Sequence, residues 1–85
     1  MIIHDEAHCR FLQEDPRGNA YMEYTCAGNI LTVTHTKVPD ALAGRGIAGK
    51  LASALYEWAI RHHYIVRSEC SYMSHWMEKK QVTGS

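Results

Sequence analysis

Eighty-five residues make one domain that buries only about 60 to 65% of the surface its unfolded chain exposes, which excludes a two-domain enzyme. Nine Lys and Arg balance nine Asp and Glu, with 46% apolar and 21% charged residues; this neutral globular composition argues against disorder and offers nucleic acid no basic field. No apolar run exceeds three residues, where a membrane span takes about 20, and the start MIIHDEAHCRF lacks a secretory leader pattern, so a cytoplasmic protein with no membrane partner is expected.

Ile2 to His4 and Cys9 to Gln13 are β-prone and flank Asp5-Glu6, and the loop Glu14-Asp15-Pro16-Arg17-Gly18-Asn19 follows. Ala20 to Cys26 alternates, with Ala20, Met22, Tyr24 and Cys26 on one face, as a half-buried strand does. Ala27-Gly28-Asn29 turns the chain into Ile30 to Val38, a second alternating run rich in Thr and Val, so the two runs should pair as an antiparallel hairpin. Pro39 donates no ladder hydrogen bond and ends that strand. A loop from Pro39 to Gly44 leads to a helical period: Ile47, Leu51, Leu55 and Trp58 stand at steps of four, four and three, opposite Lys50, Ser53, Glu57 and Arg61. This pattern predicts a long helix over residues 46–62. Tyr64 to Arg67 is β-prone again, which makes strand, helix and strand one βαβ unit with parallel strands. Tyr72 with Trp76 and Met73 with Met77, each four apart, predict a short C-terminal helix capped near Ser71, with Tyr72 and Trp76 expected in the core. The expected fold class is α+β: a mostly antiparallel sheet with one βαβ crossover and two helices, forming a single domain over residues 1–80 with a frayed tail at 81–85.

Chemistry concentrates in Ala43-Gly44-Arg45-Gly46-Ile47-Ala48-Gly49, a glycine-rich turn that opens the long helix. Helix N-termini carry unpaired N–H groups and about half a positive charge, and glycines let the backbone approach an anion, so the junction suits a phosphate or diphosphate. Arg45 and Lys50 can add charge. Leu51 stands where a Walker motif needs its magnesium-binding hydroxyl, which excludes a nucleotide triphosphatase. The dinucleotide fingerprint GxGxxG is formally complete at 44–49, but the strand before it lies in an antiparallel meander and the chain is too short for two βαβαβ halves. The same glycines would also serve a tight strand-to-helix turn and nothing more.

Cys9, Cys26 and Cys70 are an odd number at wide spacings and read as free thiols. Cys70 falls where the last helix starts, and the helix dipole there favours a thiolate; taken by itself, a free cysteine is more often just a small buried apolar side chain. Cys9 and Cys26 lie within the predicted strands and should be inert. The six histidines follow no zinc-ligand spacing, so no metal is expected. His35, near the end of the long strand, is placed to act as a base or simply to pack in the sheet. Tyr72, two residues after Cys70, could offer its hydroxyl as a proton donor.

His35-Thr36-Lys37-Val38-Pro39, then Ala43 to Ala48, then Cys70-Ser71-Tyr72, joined by Ile3 to Ala7, Phe11 and Ala20 to Tyr24, resemble the small single-domain branch of the GNAT (Gcn5-related) N-acetyltransferase superfamily over nearly the whole chain. The resemblance implies acetyl-CoA wedged between the strand ending at Val38 and the strand near Ile65 to Ser68. Its pantetheine would bond main-chain groups near Thr36, Lys37 and Val38, and its diphosphate the amides of Gly44, Arg45, Gly46, Ile47 and Ala48, with Gly49 and Lys50 beside them. It further implies an acetyltransferase acting on a small-molecule or protein amine. Transfer would run by direct attack, with His35 or a water it holds as base and Tyr72 as acid, or through acetylated Cys70. The alternative is a CoA-binding regulatory module with little or no catalysis. This chain departs from the family pattern in having Ala43 where the (Q/R)xxGx(G/A) motif begins with Arg or Gln, and Ser68 where the small branch usually has proline. Asp5 to Ala7 also leave no room for the helical segment that walls the acceptor site in larger members. So small a core is compatible with a monomer or a weak homodimer.

Overall fold

The computed structural model describes residues 1–80, and the tail expected to fray lies outside the described residues. Strands β1 (Ile3–Asp5), β2 (Arg10–Gln13), β3 (Ala20–Ala27) and β4 (Ile30–Lys37) precede helix α1 (Ile47–Arg61), strand β5 (Ile65–Ser68) and helix α2 (Ser71–Lys79). The sheet order is β1-β2-β3-β4-β5; the first three pairings are antiparallel, and β5 lies parallel to β4 across α1. This is the expected α+β fold with its single crossover. Only Gly28-Asn29 separates β3 from β4, and Gly28 at φ 62° supplies the positive dihedral that a two-residue hairpin turn needs at its first position.

The helical period of α1 buries Ile47, Leu51, Ala52, Leu55 and Ala59 against Phe11, Met22, Tyr24, Leu31, Val33 and Val66 of the sheet. Each fully buried Leu or Val contributes about 1.5–3 kcal/mol over its exposed state, so this one interface fixes where the helix starts. The C-terminal helix uses the other of its two stripes. Met73 and Met77 enter the core, whereas Tyr72 is 38% exposed and Trp76 is half-buried beside Tyr56; the expectation of an aromatic core stripe is corrected. Its first residue is Ser71, but the cap is Cys70 and no side chain caps it.

Three further expectations change. Cys9 does not lie in a strand: it closes a single 3-10 turn at Glu6–His8 in the left-handed conformation, φ 51°. Cys26 lies in β3 opposite Leu31 yet is exposed, at a position beyond the end of the β2 pairing, which covers only Ala20 to Glu23 of β3. Val38 falls just outside β4.

The hairpin register contains a bulge absent from the simple alternation. Glu23 pairs with His35 and Tyr24 with Val33, leaving Thr34 as the extra residue of β4, its hydroxyl donating to the Glu23 carbonyl at 3.4 Å. A one-residue insertion exchanges the faces of everything after it. Phe11, Met22 and Thr36 therefore align on the helix side, while Arg10, Glu23 and His35 align on the helix-free side, as do Leu12, Tyr21 and Lys37. Pairing of β4 with β5 stops at Val33 and Ser68, where the Glu69 N–H donates to the Val33 carbonyl at 2.8 Å. From there β4 continues to Lys37 paired with β3 only, which leaves a mouth between β4 and β5.

Candidate functional site

After β4, a 3-10 turn at Asp40–Leu42 is anchored by the fully buried Leu42 and delivers the chain to α1. Gly44 at φ 81° and Gly46 at φ 72° hold left-handed conformations that only glycine adopts freely. A Cβ at either would meet nothing within 4 Å, so the backbone path, not crowding, calls for glycine. Ala43 donates to the Asp40 carbonyl and Lys50 to the Gly46 carbonyl. Between them, the amides of Gly44 through Gly49 have no acceptor among the described residues, no side chain caps α1, and its first turn holds no acidic residue. The positive end of the helix dipole is left uncompensated.

Next to this turn lies a groove of about 300 Å³ lined by Val38, Leu42, Tyr72 and, from the turn itself, Ala43, Gly44 and residues 46–49. The loop glycines, Val38 and Tyr72 are thus brought together. Tyr72 reaches across from α2, its hydroxyl 3.5 Å from where a Gly49 Cβ would sit. Arg45 and Lys50 are exposed beside the groove rather than in it. A diphosphate at this turn would meet N–H donors and the positive end of the helix dipole, with no acidic residue in the first turn of α1.

The mouth between β4 and β5 holds the second part of the site. Cys70 is half-buried at the start of α2, and its sulfur lies 3.2 Å from the Thr36 hydroxyl. The Ser68 hydroxyl grips the Cys70 backbone from both sides: it donates to the Cys70 carbonyl at 2.8 Å and accepts from the Cys70 N–H at 3.2 Å. Ser74 donates to the same Ser68 oxygen at 2.9 Å, and its own N–H bonds the Cys70 carbonyl at 3.0 Å. One donor and two acceptor sites of Ser68 are all used. His35 is not part of this cluster. It is exposed on the opposite face, cross-strand from Glu23, with its ring 6.0 Å from that of Tyr21. Lys37 is exposed on that face as well.

Sequence reasoning missed the side chains of Thr36, Ser68 and Ser74. The spacing Ser68-x-Cys70-x-x-x-Ser74 hints at a hydroxyl clamp around a helix start, but Thr36 is 34 residues from Cys70 and only the fold joins them. Among the described residues, no three His, Cys, Asp or Glu side chains gather as a metal site requires, and no helix is long and apolar enough to cross a membrane.

A sequence model of the family described as GCN5-related N-acetyl-transferase matches residues 10–83. Among solved structures, the chain is similar to the NMR solution structure of a candidate GCN5-like N-acetyltransferase from Staphylococcus aureus. The two share 30% sequence identity with a TM-score of 0.76, over 95% of this chain and 80% of the other.

Proposed function

Since the chain belongs to the GCN5-related N-acetyltransferase family, we propose that this acetyltransferase takes acetyl-CoA as its donor and delivers the acetyl group to an amine. The observation that carries the reading is the run of amides at residues 44–49 without acceptors among the described residues, in a turn that lines a groove together with Val38 and Tyr72. These N–H groups would hold the diphosphate, and the main chain of Thr36, Lys37 and Val38, beyond the last β5 pairing, would hold the pantetheine arm. Arg45 and Lys50 add outer positive charge. Because Ala43 has no side-chain donor, the backbone carries more of the binding than in a chain with Arg or Gln there. When bound, the cosubstrate supplies an acetyl group already activated as a thioester.

The chain's own groups divide between two sides of the sheet. On the helix side, Cys70 is the nucleophile at the mouth and Tyr72, over Gly49, is a proton donor facing the groove. On the helix-free side, exposed His35, cross-strand from Glu23, would take the proton of an amine that arrives from that face. Isothermal calorimetry with CoA and acetyl-CoA tests the reading. Binding is expected for the native chain and should be lost in Gly46→Asp, which sets a carboxylate among the amides. Absence of heat and of any thermal shift with either compound would leave no donor for the proposed transfer.

A further inference from the structure

Helix α2 carries a second cavity, of about 700 Å³, lined among the described residues by Ser71, Tyr72, His75, Trp76, Lys79 and Lys80. Tyr72 also lines the groove beside the 44–49 turn, so the two spaces share one side chain. Trp76 is half-buried, its ring 5.7 Å from that of Tyr56 in α1, and part of the indole stays accessible. Lys79 and Lys80 are exposed, and among the described residues neither enters an ion pair. Their neighbour Glu78 is exposed as well but does not line the cavity. An indole flanked by two ammonium groups complements a purine that carries phosphate.

We propose that this cavity takes the adenosine 3′-phosphate end of CoA, with the adenine against Trp76 and the 3′-phosphate at Lys79 and Lys80. Its use rests on the acetyl-CoA reading given above and extends the binding site to residues outside the glycine turn. The diphosphate of CoA joins the pantetheine arm to the adenosine, so a diphosphate held at residues 44–49 sets the adenosine a few bonds from Tyr72. Lys79 stands seven residues further along α2, about 10 Å at the helical rise, and its four-carbon stem reaches back over part of that distance. Position 43 adds a reason for this reach. With alanine there, the turn has one side-chain donor fewer for the cofactor, and the lysines of α2 supply two cations. A lysine ammonium is a mobile point charge that suits a phosphate dianion. Stacking on the indole tolerates any base, so the 3′-phosphate, more than the adenine, sets the specificity of the cavity.

The test compares CoA with 3′-dephospho-CoA, which differ only in that phosphate, by isothermal calorimetry on the full chain at about 0.1 M salt. The native chain should bind CoA about tenfold more tightly, the size of one hydrogen-bonded contact to a charged group. Lys79→Gln combined with Lys80→Gln should abolish that preference by weakening CoA alone. Trp76→Ala should weaken both compounds by about tenfold and keep the preference. Thermal melting checks that each variant is folded, and Trp76→Leu supplies the same comparison where the alanine variant is not. Equal native affinity for the two compounds, or a double lysine variant that loses both alike, overturns the proposal and leaves the CoA reading in place. Adenosine 3′,5′-bisphosphate, followed by indole fluorescence, probes the cavity without the rest of the cofactor. Quenching is expected in the native chain and not in Trp76→Leu, which keeps Trp58 as its emitter. If CoA gives no heat but the bisphosphate quenches Trp76, the donor reading fails while the phosphonucleoside site is upheld; silence in both measurements overturns the two together.

Discussion

At its C-terminal end α1 is closed into a stack of rings, while at its N-terminal end its first residues line a groove. Trp58 meets His4 edge-on at 4.5 Å and lies against Tyr64 at 5.5 Å, and His4 stacks on Phe11 at 4.0 Å. His4 also bonds the Tyr24 hydroxyl at 2.6 Å, and His62 Nδ1 bonds the Trp58 carbonyl at 2.9 Å. Among the described residues nothing comparable occupies the other end, where the N–H groups of residues 44–49 find no acceptor. A domain this small has little stability to spare. The contrast teaches where it is kept: packing at one end of the helix tolerates an unsatisfied, glycine-bent site at the other.

Removing the ring at the centre of the packed end should have the largest effect. Trp58→Ala is expected to lower the unfolding free energy by about 3 kcal/mol, the low end for an aromatic truncation because the indole is half-buried. Urea unfolding measures this, and CoA affinity well below the new midpoint should stay close to native. A loss under about 1 kcal/mol would mean that the ring cluster does not carry the stability assigned to it.

The reciprocal change at the open end is Gly46→Val. The position has space for a side chain but stands at φ 72°, so the cost comes from the backbone alone, about 1–2 kcal/mol for a β-branched residue. Unlike Trp58→Ala, it should weaken CoA binding in calorimetry at temperatures where the variant is folded. Unchanged binding would separate the left-handed turn from the anion cradle.

These two positions also show what could be read in advance. Gly46 was visible because glycine at a strand-to-helix junction has a limited set of uses, and α1 because steps of four, four and three fit one helical face. The bulge was not visible. Ile30 to Lys37 alternates without any mark at Thr34, and only the full hairpin register reveals that continued alternation would have turned His35 and Lys37 toward the core. In α2 two stripes fit the same period equally well, Tyr72 with Trp76 and Met73 with Met77, so periodicity could not choose between them. The sheet packing did. The Thr36 to Cys70 contact joins residues 34 apart, and no local rule reaches that far.

A smaller effect should appear in the pH dependence of the packed end. Burial among rings is the main cause holding the His4 imidazole below its ordinary pKa of 6.5, with Glu6 and Asp5 pulling the other way and His62 adding to the lowering. The unfolded chain therefore binds this proton more readily than the folded one. The stabilising contribution is full above pH 6.5 and is lost as pH falls through the lowered folded value. Thermal melting should shift downward as pH drops from about 7.5 to about 5.5, and His4→Gln should flatten that slope while lowering stability throughout. An unaltered slope in the variant would remove His4 as its source. The half-buried acids Asp5 and Asp15, whose pKa values are lowered below 3.8, titrate under this window.

The smallest predicted effect sharpens the comparison by adding glycine where the packed end lacks one. His63 has φ 64°; its N–H donates to the Ile60 carbonyl at 3.0 Å and that of Tyr64 to the Ala59 carbonyl at 2.8 Å. This nested pair is a Schellman ending, completed by the contact of Tyr64 with Trp58 one turn back. Glycine is the usual residue at the left-handed position, and no other residue relieves the conformation so directly. At Gly46 the free donors require that dihedral; at His63 the dihedral only terminates the helix, and the imidazole is exposed. His63→Gly should therefore gain a few tenths to about 1 kcal/mol, the relief of left-handed strain exceeding the extra entropy glycine brings to the unfolded chain. Equilibrium unfolding measures the gain, and CoA binding at the far end of α1 should not respond. A loss of stability would mean that the His63 side chain makes a stabilising contact large enough to outweigh the strain, and the packed end would then extend one residue further than the ring cluster indicates.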